Sequence, residues 1–251
     1  MKKLFAVLFV ICLVSCHDFD NNLDPFRYIE EYYSLNGNAE NMFDFFANGS
    51  VAGAKLTRDK NGDFNKAYEF ENNEDYIDCH FIGDLSGMSE FTISLWFMYS
   101  GDNSSDYLLG KFDESGNKGF YFQIDSSGVL QFKYYVEDGD SIKTLEDDNW
   151  GVDENTWKCL ALTGKQNEAF GTVSLKLYLD GTLLAYVTDK NLKVNIFSPL
   201  VIGHRSTSKD YHFSGKADDL RIYKKELTAG EVAAIFNSTD PISSYMGSLP
   251  E

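Results

Sequence analysis

Basic residues are scarce in this chain: 22 lysines and arginines stand against 39 aspartates and glutamates, a formal charge of −17. A surface this acidic is repelled by phosphate backbones and anionic lipid, which argues against a nucleic-acid partner. Histidine is also scarce, with four in all, so there is little for general-base chemistry. Gly-x-Ser-x-Gly, His-Glu-x-x-His and Gly-Lys-Ser/Thr are all missing, and with them the usual hydrolase elbow, zinc helix and phosphate loop. Only four prolines occur, no Pro- or Ser-rich linker divides the chain, and no internal repeat is found. Past residue 16 no run is long and apolar enough to span a bilayer. These absences leave a single acidic, non-membrane-spanning domain.

The one long uncharged apolar run comes at the start. Lys2 and Lys3 precede it, and residues 4–14 carry no charge. At about 1.5 Å per residue it covers about half of a bilayer core, as a signal sequence does and a membrane helix does not. Ser15 and Cys16 close it, and "LVSC" resembles the bacterial lipobox, whose cysteine is lipidated and becomes the first mature residue. The resemblance implies a signal peptide over 1–15, a lipidated Cys16 and a flexible tether over 16–31 that includes His17. The alternative is cleavage after small residues with a spare cysteine. "HDFDNN", residues 17–22, resembles the acidic export signal of surface lipoproteins in Bacteroides-like bacteria. The expected address is the bacterial outer membrane, facing outward, with the periplasmic leaflet as the alternative and the acyl anchor as the only membrane contact. With Cys12 and Cys16 so used, Cys79 and Cys159 remain. An oxidising compartment allows them to pair, yet each lies in an alternating strand pattern, where a thiol serves as a small hydrophobe.

Beyond the tether, short runs rich in aromatic and β-branched residues alternate with turn signals. "FTISLWFMY", "GFYFQID", "GVLQFKYY", "WKCLALT", "TVSLKLYLD" and "ADDLRIY" are the clearest, and several others share their period of two. Asp180-Gly181 predicts a two-residue hairpin, and "DSSG" at 125–128 a slightly longer one. Thr228 and Glu231 have the spacing of a helix capping box, with Val232, Ile235 and Phe236 on one face of the helix that follows. The tail 239–251 has turn composition. The expected fold is all-β, a two-sheet antiparallel jelly-roll sandwich with one short C-terminal helix. Most of the fifteen tyrosines and twenty phenylalanines are expected in its core, with Trp96 and Trp157.

"FSGKADDLRIYKKELTAGEVAAIF", residues 213–236, resembles the closing signature of the laminin-G-like, concanavalin A-like lectin-glucanase jelly rolls. "YSLNGNAEN" (33–41) and "GAKLTRDKNGDFNKAYEFENNEDYID" (53–78) resemble the opening of that family. The resemblance covers roughly 32–238 and implies a binding fold, with glycans or proteins as ligands and often a structural calcium ion. Asn36, Asn38, Asp59 and Asp218 fall at the matching motif positions and are the calcium ligands it implies. "MFDFF", residues 42–46, departs from the glycine-bearing loop usual there. "DKNGD" begins like an EF-hand loop, but its glycine comes fourth rather than sixth, as in a plain turn.

Some relatives are glycosidases, which need two carboxylates across a sugar. Those jelly rolls set them on one strand as Glu-x-Asp-x-Glu, and the nearest run here, "EDDNW" at 146–150, lacks the second glutamate. The loop 137–155 holds eight acids around Trp150 and reads either as a solvated connection or as a sugar site, with Trp150 as stacking platform and the acids as acceptors. His204, Tyr211 and His212 flank a hairpin loop and form a candidate second rim. The expectation is a non-catalytic, lipid-anchored glycan-binding domain. A protein-interaction or adhesion module of a surface complex is the alternative, and a degenerate hydrolase the third reading.

Overall fold

The computed structural model of the chain describes residues 26–80, 85–101, 106–113, 118–137, 141–194, 197–205 and 208–238. The expected signal peptide, Cys16 and the tail 239–251 lie outside the described residues. Two antiparallel sheets face each other. In the first, β17 (Gly215–Tyr223) has β6 (Glu90–Tyr99) on one side and, on the other, β4 (Ala67–Phe70) and then β3 (Lys55–Thr57). Beyond β6 lie β11 (Trp157–Asn167), β12 (Thr172–Leu179) and β13 (Thr182–Lys190), and β1 (Ile29–Tyr33) also pairs with β17. The second sheet runs β10 (Lys143–Leu145), β9 (Leu130–Tyr134), β8 (Gly119–Ile124), β7 (Asp106–Phe112) and β14 (Leu200–Ile202). β5 (Tyr76–Asp78) and β2 (Ser50–Ala52) complete it. A small hairpin, β15 (His204–Arg205) and β16 (Ser208–His212), follows β14.

Alternation decides which side chains fill the space between the sheets. Phe91, Ile93, Leu95 and Phe97 of β6 point inward, as do Phe120, Phe122 and Ile124 of β8 and Leu130, Phe132 and Tyr134 of β9. The rings of Phe120, Phe122 and Tyr134 lie 5.9, 4.9 and 5.3 Å from that of Phe132, close enough for favourable tilted and stacked contact. Most described tyrosines and phenylalanines are buried, as is Trp96, while Trp157 is only half-buried and Phe46, Phe64, Phe170, Tyr186 and Phe197 stand exposed. At the predicted hairpin, Asp180 and Gly181 both take positive φ, at 51° and 76°, as a two-residue turn of this hand requires.

The first sheet has a second apolar layer outside it. Trp96, Cys159, Ala161, Tyr178 and Tyr223 face outward and are covered by α1 (Ala229–Asn237) through Val232 and Ile235, while Phe236 stacks on Trp96 at 5.7 Å. Cys159 therefore lies in the outer layer and Cys79 in the inner one, and both thiols are free and buried. The helix starts at the predicted capping box: Thr228 Oγ1 accepts from Glu231 N, and Glu231 accepts from Thr228 N at 2.8 Å and from Lys225 Nζ at 2.6 Å. Burial raises the Glu231 carboxyl, but these donors outweigh it and leave its pKa below the ordinary value. A carboxyl lowered on folding contributes stability that is present above the ordinary glutamate value and lost as pH falls from there through the lowered pKa of the folded state. Thr228→Ala is expected to cost about 1–2 kcal/mol in urea unfolding at neutral pH and less in acid, where Glu231 is protonated and the cap already weakened.

Two boundaries differ from expectation. Residues 26–31, read as tether, form a 3₁₀ turn and the start of β1, because Ile29–Tyr33 completes the first sheet beside β17. The 137–155 connection is part sheet: Lys143–Leu145 pairs with β9 as β10.

Candidate functional site

The outer face of the second sheet carries aligned cross-strand rows. Register pairs Tyr107 with Gln123, Gln123 with Gln131, and Leu145 with Phe132, so Glu146 follows opposite Gln131. The next row runs Thr144, Lys133, Tyr121, Gly110, Val201 and Asp78. Tyr107 is buried and stacks on Tyr121 at 4.7 Å, while Phe112 meets Tyr121 edge-on at 5.5 Å. Gly110 makes this stack possible, since a Cβ there would sit 2.4 Å from the Tyr107 hydroxyl and 2.6 Å from Tyr121 Cβ. The β15–β16 hairpin lies against β7. Over β8–β10, Tyr121, Gln123, Lys133 and Glu146 keep partial exposure, and together they form a surface strip, called the trough, with an aromatic side and a polar row.

The polar row is hydrogen-bonded across three strands. Gln123 Nε2 donates to Gln131 Oε1 at 2.7 Å. Gln131 Nε2 donates to Asp125 Oδ2 at 3.2 Å and to Glu146 Oε2. Asp125 is itself fixed, because its Oδ1 accepts from the Ser127 and Val129 amides in the β8–β9 turn. These five contacts turn loose surface side chains into a defined array.

Trp150 stands at one end of this trough. Its loop closes on itself through Trp150 N to Asp147 O, and Gly151 bridges Val129 beside the turn that holds Asp125. The indole is 49% exposed, as stacking on a sugar requires. The expected second rim stands on another hairpin. His204 and His212 are paired across the β15–β16 hairpin, and His204 packs edge-on against Tyr76 of β5 at 4.3 Å. That hairpin lies against β7, three strand spacings, roughly 14 Å, from β10. Tyr211 belongs to the same hairpin strand, but its side chain lies outside what is described. Gln123, Gln131, Asp125, Glu146 and Tyr121 were not singled out in the sequence. The signal for them was the "DSSG" turn, which sets Gln123 opposite Gln131.

Of the residues implied for calcium, two cap turns of their own and one is buried beside other carboxylates. Asn38 Oδ1 accepts from Glu40 N, and Asp59 Oδ1 accepts from Asn61 N and Asp63 N, so both close their own turns. Asn36 is exposed. Asp218 is buried, with one oxygen lacking a hydrogen bond. Burial, then the neighbouring Asp219 carboxylate, raises its pKa far above the aspartate range. Two side-chain cations lie at this place. Arg221 Nη2 is 3.0 Å from Asp219 Oδ2, and Lys60 Nζ is 3.8 Å from the same oxygen and 5.0 Å from the Trp96 ring. Among the described residues no group of three His, Cys, Asp or Glu could hold a metal ion.

Two face-to-face antiparallel sheets with a short helix over one of them define a concanavalin A-like jelly roll. The chain belongs to the Laminin_G_3 family of the concanavalin A-like lectin/glucanases superfamily, whose model matches residues 71–233. Curated proteins gave no match. Among solved structures it is similar to the binding domain of Paraclostridial Mosquitocidal Protein 1, with TM-score 0.63 and 17% identity over 84% of this chain and 52% of that one. It thus spans about half the length of that domain. It also resembles domain 4 of AbnA, a GH43 extracellular arabinanase from Geobacillus stearothermophilus, in complex with arabinotriose. There the TM-score is 0.58, with 18% identity over 84% of this chain and 98% of that one. The Ruminococcus gnavus IT-sialidase CBM40 bound to α2,3-sialyllactose matches 61% of this chain and 85% of its own, with TM-score 0.50 and 20% identity. These identities speak to fold.

Proposed function

We propose that this is a non-catalytic carbohydrate-binding domain that holds a glycan along the trough over β8–β10, anchored through Cys16 on the outer face of a bacterial outer membrane. The observation that carries the reading is the ordered polar row Gln123–Gln131–Glu146 beside the partly exposed Tyr121 ring, with the half-exposed Trp150 at its end. Hydroxyl hydrogen bonds and ring stacking are the two forces that recognise a pyranose. Similarity to solved domains in complex with arabinotriose and α2,3-sialyllactose supports a glycan ligand. Asp125 and Glu146 are the one carboxylate pair in the trough, and the Gln131 amide nitrogen occupies the space between them, where a glycosidase holds the scissile bond. No catalysis is proposed.

A second reading, contact with a surface protein partner, is favoured by Met42, Phe43 and Phe46, which stand exposed on one loop. The test is a polysaccharide screen with the purified full chain in detergent, with calcium and with chelator. Trp150→Ala and Gln123→Ala should each weaken binding about tenfold or more while the melting temperature holds. Absence of binding to every glycan by a folded sample sinks the carbohydrate reading and favours the protein partner. Release of reducing sugar restores the hydrolase.

A further inference from the structure

We infer that Asp125 and Glu146 orient the hydrogen bonds of the trough so that it presents acceptors, and therefore selects neutral glycans over acidic ones. This rests on the trough being the glycan site. A carboxylate can only accept, so the two that meet at Gln131 require its amide NH₂ to face them. The opposite amide orientation would set a carbonyl against two anions. With its NH₂ committed, Gln131 turns its carbonyl to Gln123, and Gln123 must answer with its own NH₂. The Gln123 carbonyl is then the acceptor at the end of the chain, and Glu146 Oε1 is the carboxylate oxygen that these bonds leave over. One choice made by two acids is thus passed across three strands, from β10 to β8.

An acceptor row binds ligand hydroxyls, which donate, and repels carboxylate or sulfate groups, which cannot. The surroundings add to this. Asp147 and Asp148 follow Glu146, Asp153 and Glu154 follow Trp150, and Lys133 is the one cation in the adjoining row. Uronates, sulfated glycans and sialylated ends are excluded on charge, while unsubstituted arabinans, glucans, mannans and galactans fit.

Asp125 and Glu146 are positioning residues, and the readout that separates them from mere structural support is selectivity. The full chain is titrated with a neutral panel and with polygalacturonate, alginate and heparin, by calorimetry at fixed salt. Neutral glycans only are expected to bind. Asp125→Asn with Glu146→Gln frees Gln131 to reverse, and should weaken neutral-glycan binding about tenfold and open the trough to polyuronate. Gln131→Leu keeps both charges but breaks the relay, and should weaken neutral binding without admitting polyuronate. Binding of an acidic glycan by the parent protein, or unchanged affinity and selectivity in the double variant, overturns the inference and leaves the trough reading standing. Loss of melting cooperativity in the double variant transfers the test to Gln131→Leu, where unchanged neutral affinity overturns it. No glycan binding of any kind overturns the trough reading itself.

Discussion

Asp219→Asn is expected to lower the stability of the domain by about 3–5 kcal/mol, on the order of 10 °C in melting temperature for a chain of this size. Arg221 is fully buried on the outer face of the first sheet. Burial alone would lower the guanidinium pKa, yet the Asp219 carboxylate 3.0 Å away outweighs it and holds the charge. The same carboxylate accepts from the Tyr32 hydroxyl at 2.5 Å, and so ties β1 to β17. Asparagine is the informative replacement. Asp219 has φ of 52°, a left-handed conformation that asparagine tolerates better than any other side-chain-bearing residue, and an amide oxygen can still accept from Tyr32. The charge is therefore what changes. Adding Arg221→Met should recover much of the loss, because a buried pair removed together costs far less than one partner left behind. Since Lys60 and Arg221 supply the positive charge here, a chelator should leave the melting temperature of the parent where it is. A chelator-lowered melting temperature would instead return calcium to Asp218, and a cost under about 1 kcal/mol for Asp219→Asn would mean that other groups compensate the guanidinium.

The parts of the fold that could be read from the sequence are those whose signal is local. A ten-residue alternation such as that of β6 needs no partner to be recognised, and the Asp180-Gly181 turn and the Thr228–Glu231 cap each lie within four residues. Three strands of three residues escaped. β2, β3 and β10 are too short to show a period and exist because a neighbouring strand pairs with them. β1 was hidden for another reason. Its burial rises toward one end, a pattern that looks like solvated chain until β17 lies beside it. The candidate site divides along the same line. Trp150 stood out as an aromatic among acids, and Gln123 opposite Gln131 follows from one hairpin. Glu146 could not be placed without β10, and its meeting with Asp125 at a single amide joins residues of three strands. The second rim expected of His204, Tyr211 and His212 stands on the hairpin against β7 and Trp150 on the loop after β10, a spacing that loop composition does not reveal.

Phe132→Ala tests how far the trough depends on the core beneath it. The ring contacts Phe120, Phe122 and Tyr134 between the sheets, so its removal is expected to cost about 3–5 kcal/mol. The loss should not be uniform. Phe132 is the partner of Leu145, whose buried side chain helps hold the short edge strand β10 on the sheet, and β10 delivers Glu146 to Gln131. Amide exchange should therefore accelerate at Thr144 and Leu145 more than in β8, and glycan affinity should fall at temperatures where the variant is still folded. Lys133→Ala, one residue along on the outer face, is the comparison: its stability should stay within about 0.5 kcal/mol of the parent. If Phe132→Ala leaves the β10 amides protected and the affinity unchanged, Glu146 is held by its own loop rather than by the core. The acceptor row then owes its order to the 146–152 turn, and substitutions at Asp147 and Asn149, whose side chains close that turn, become the ones that should unsettle it.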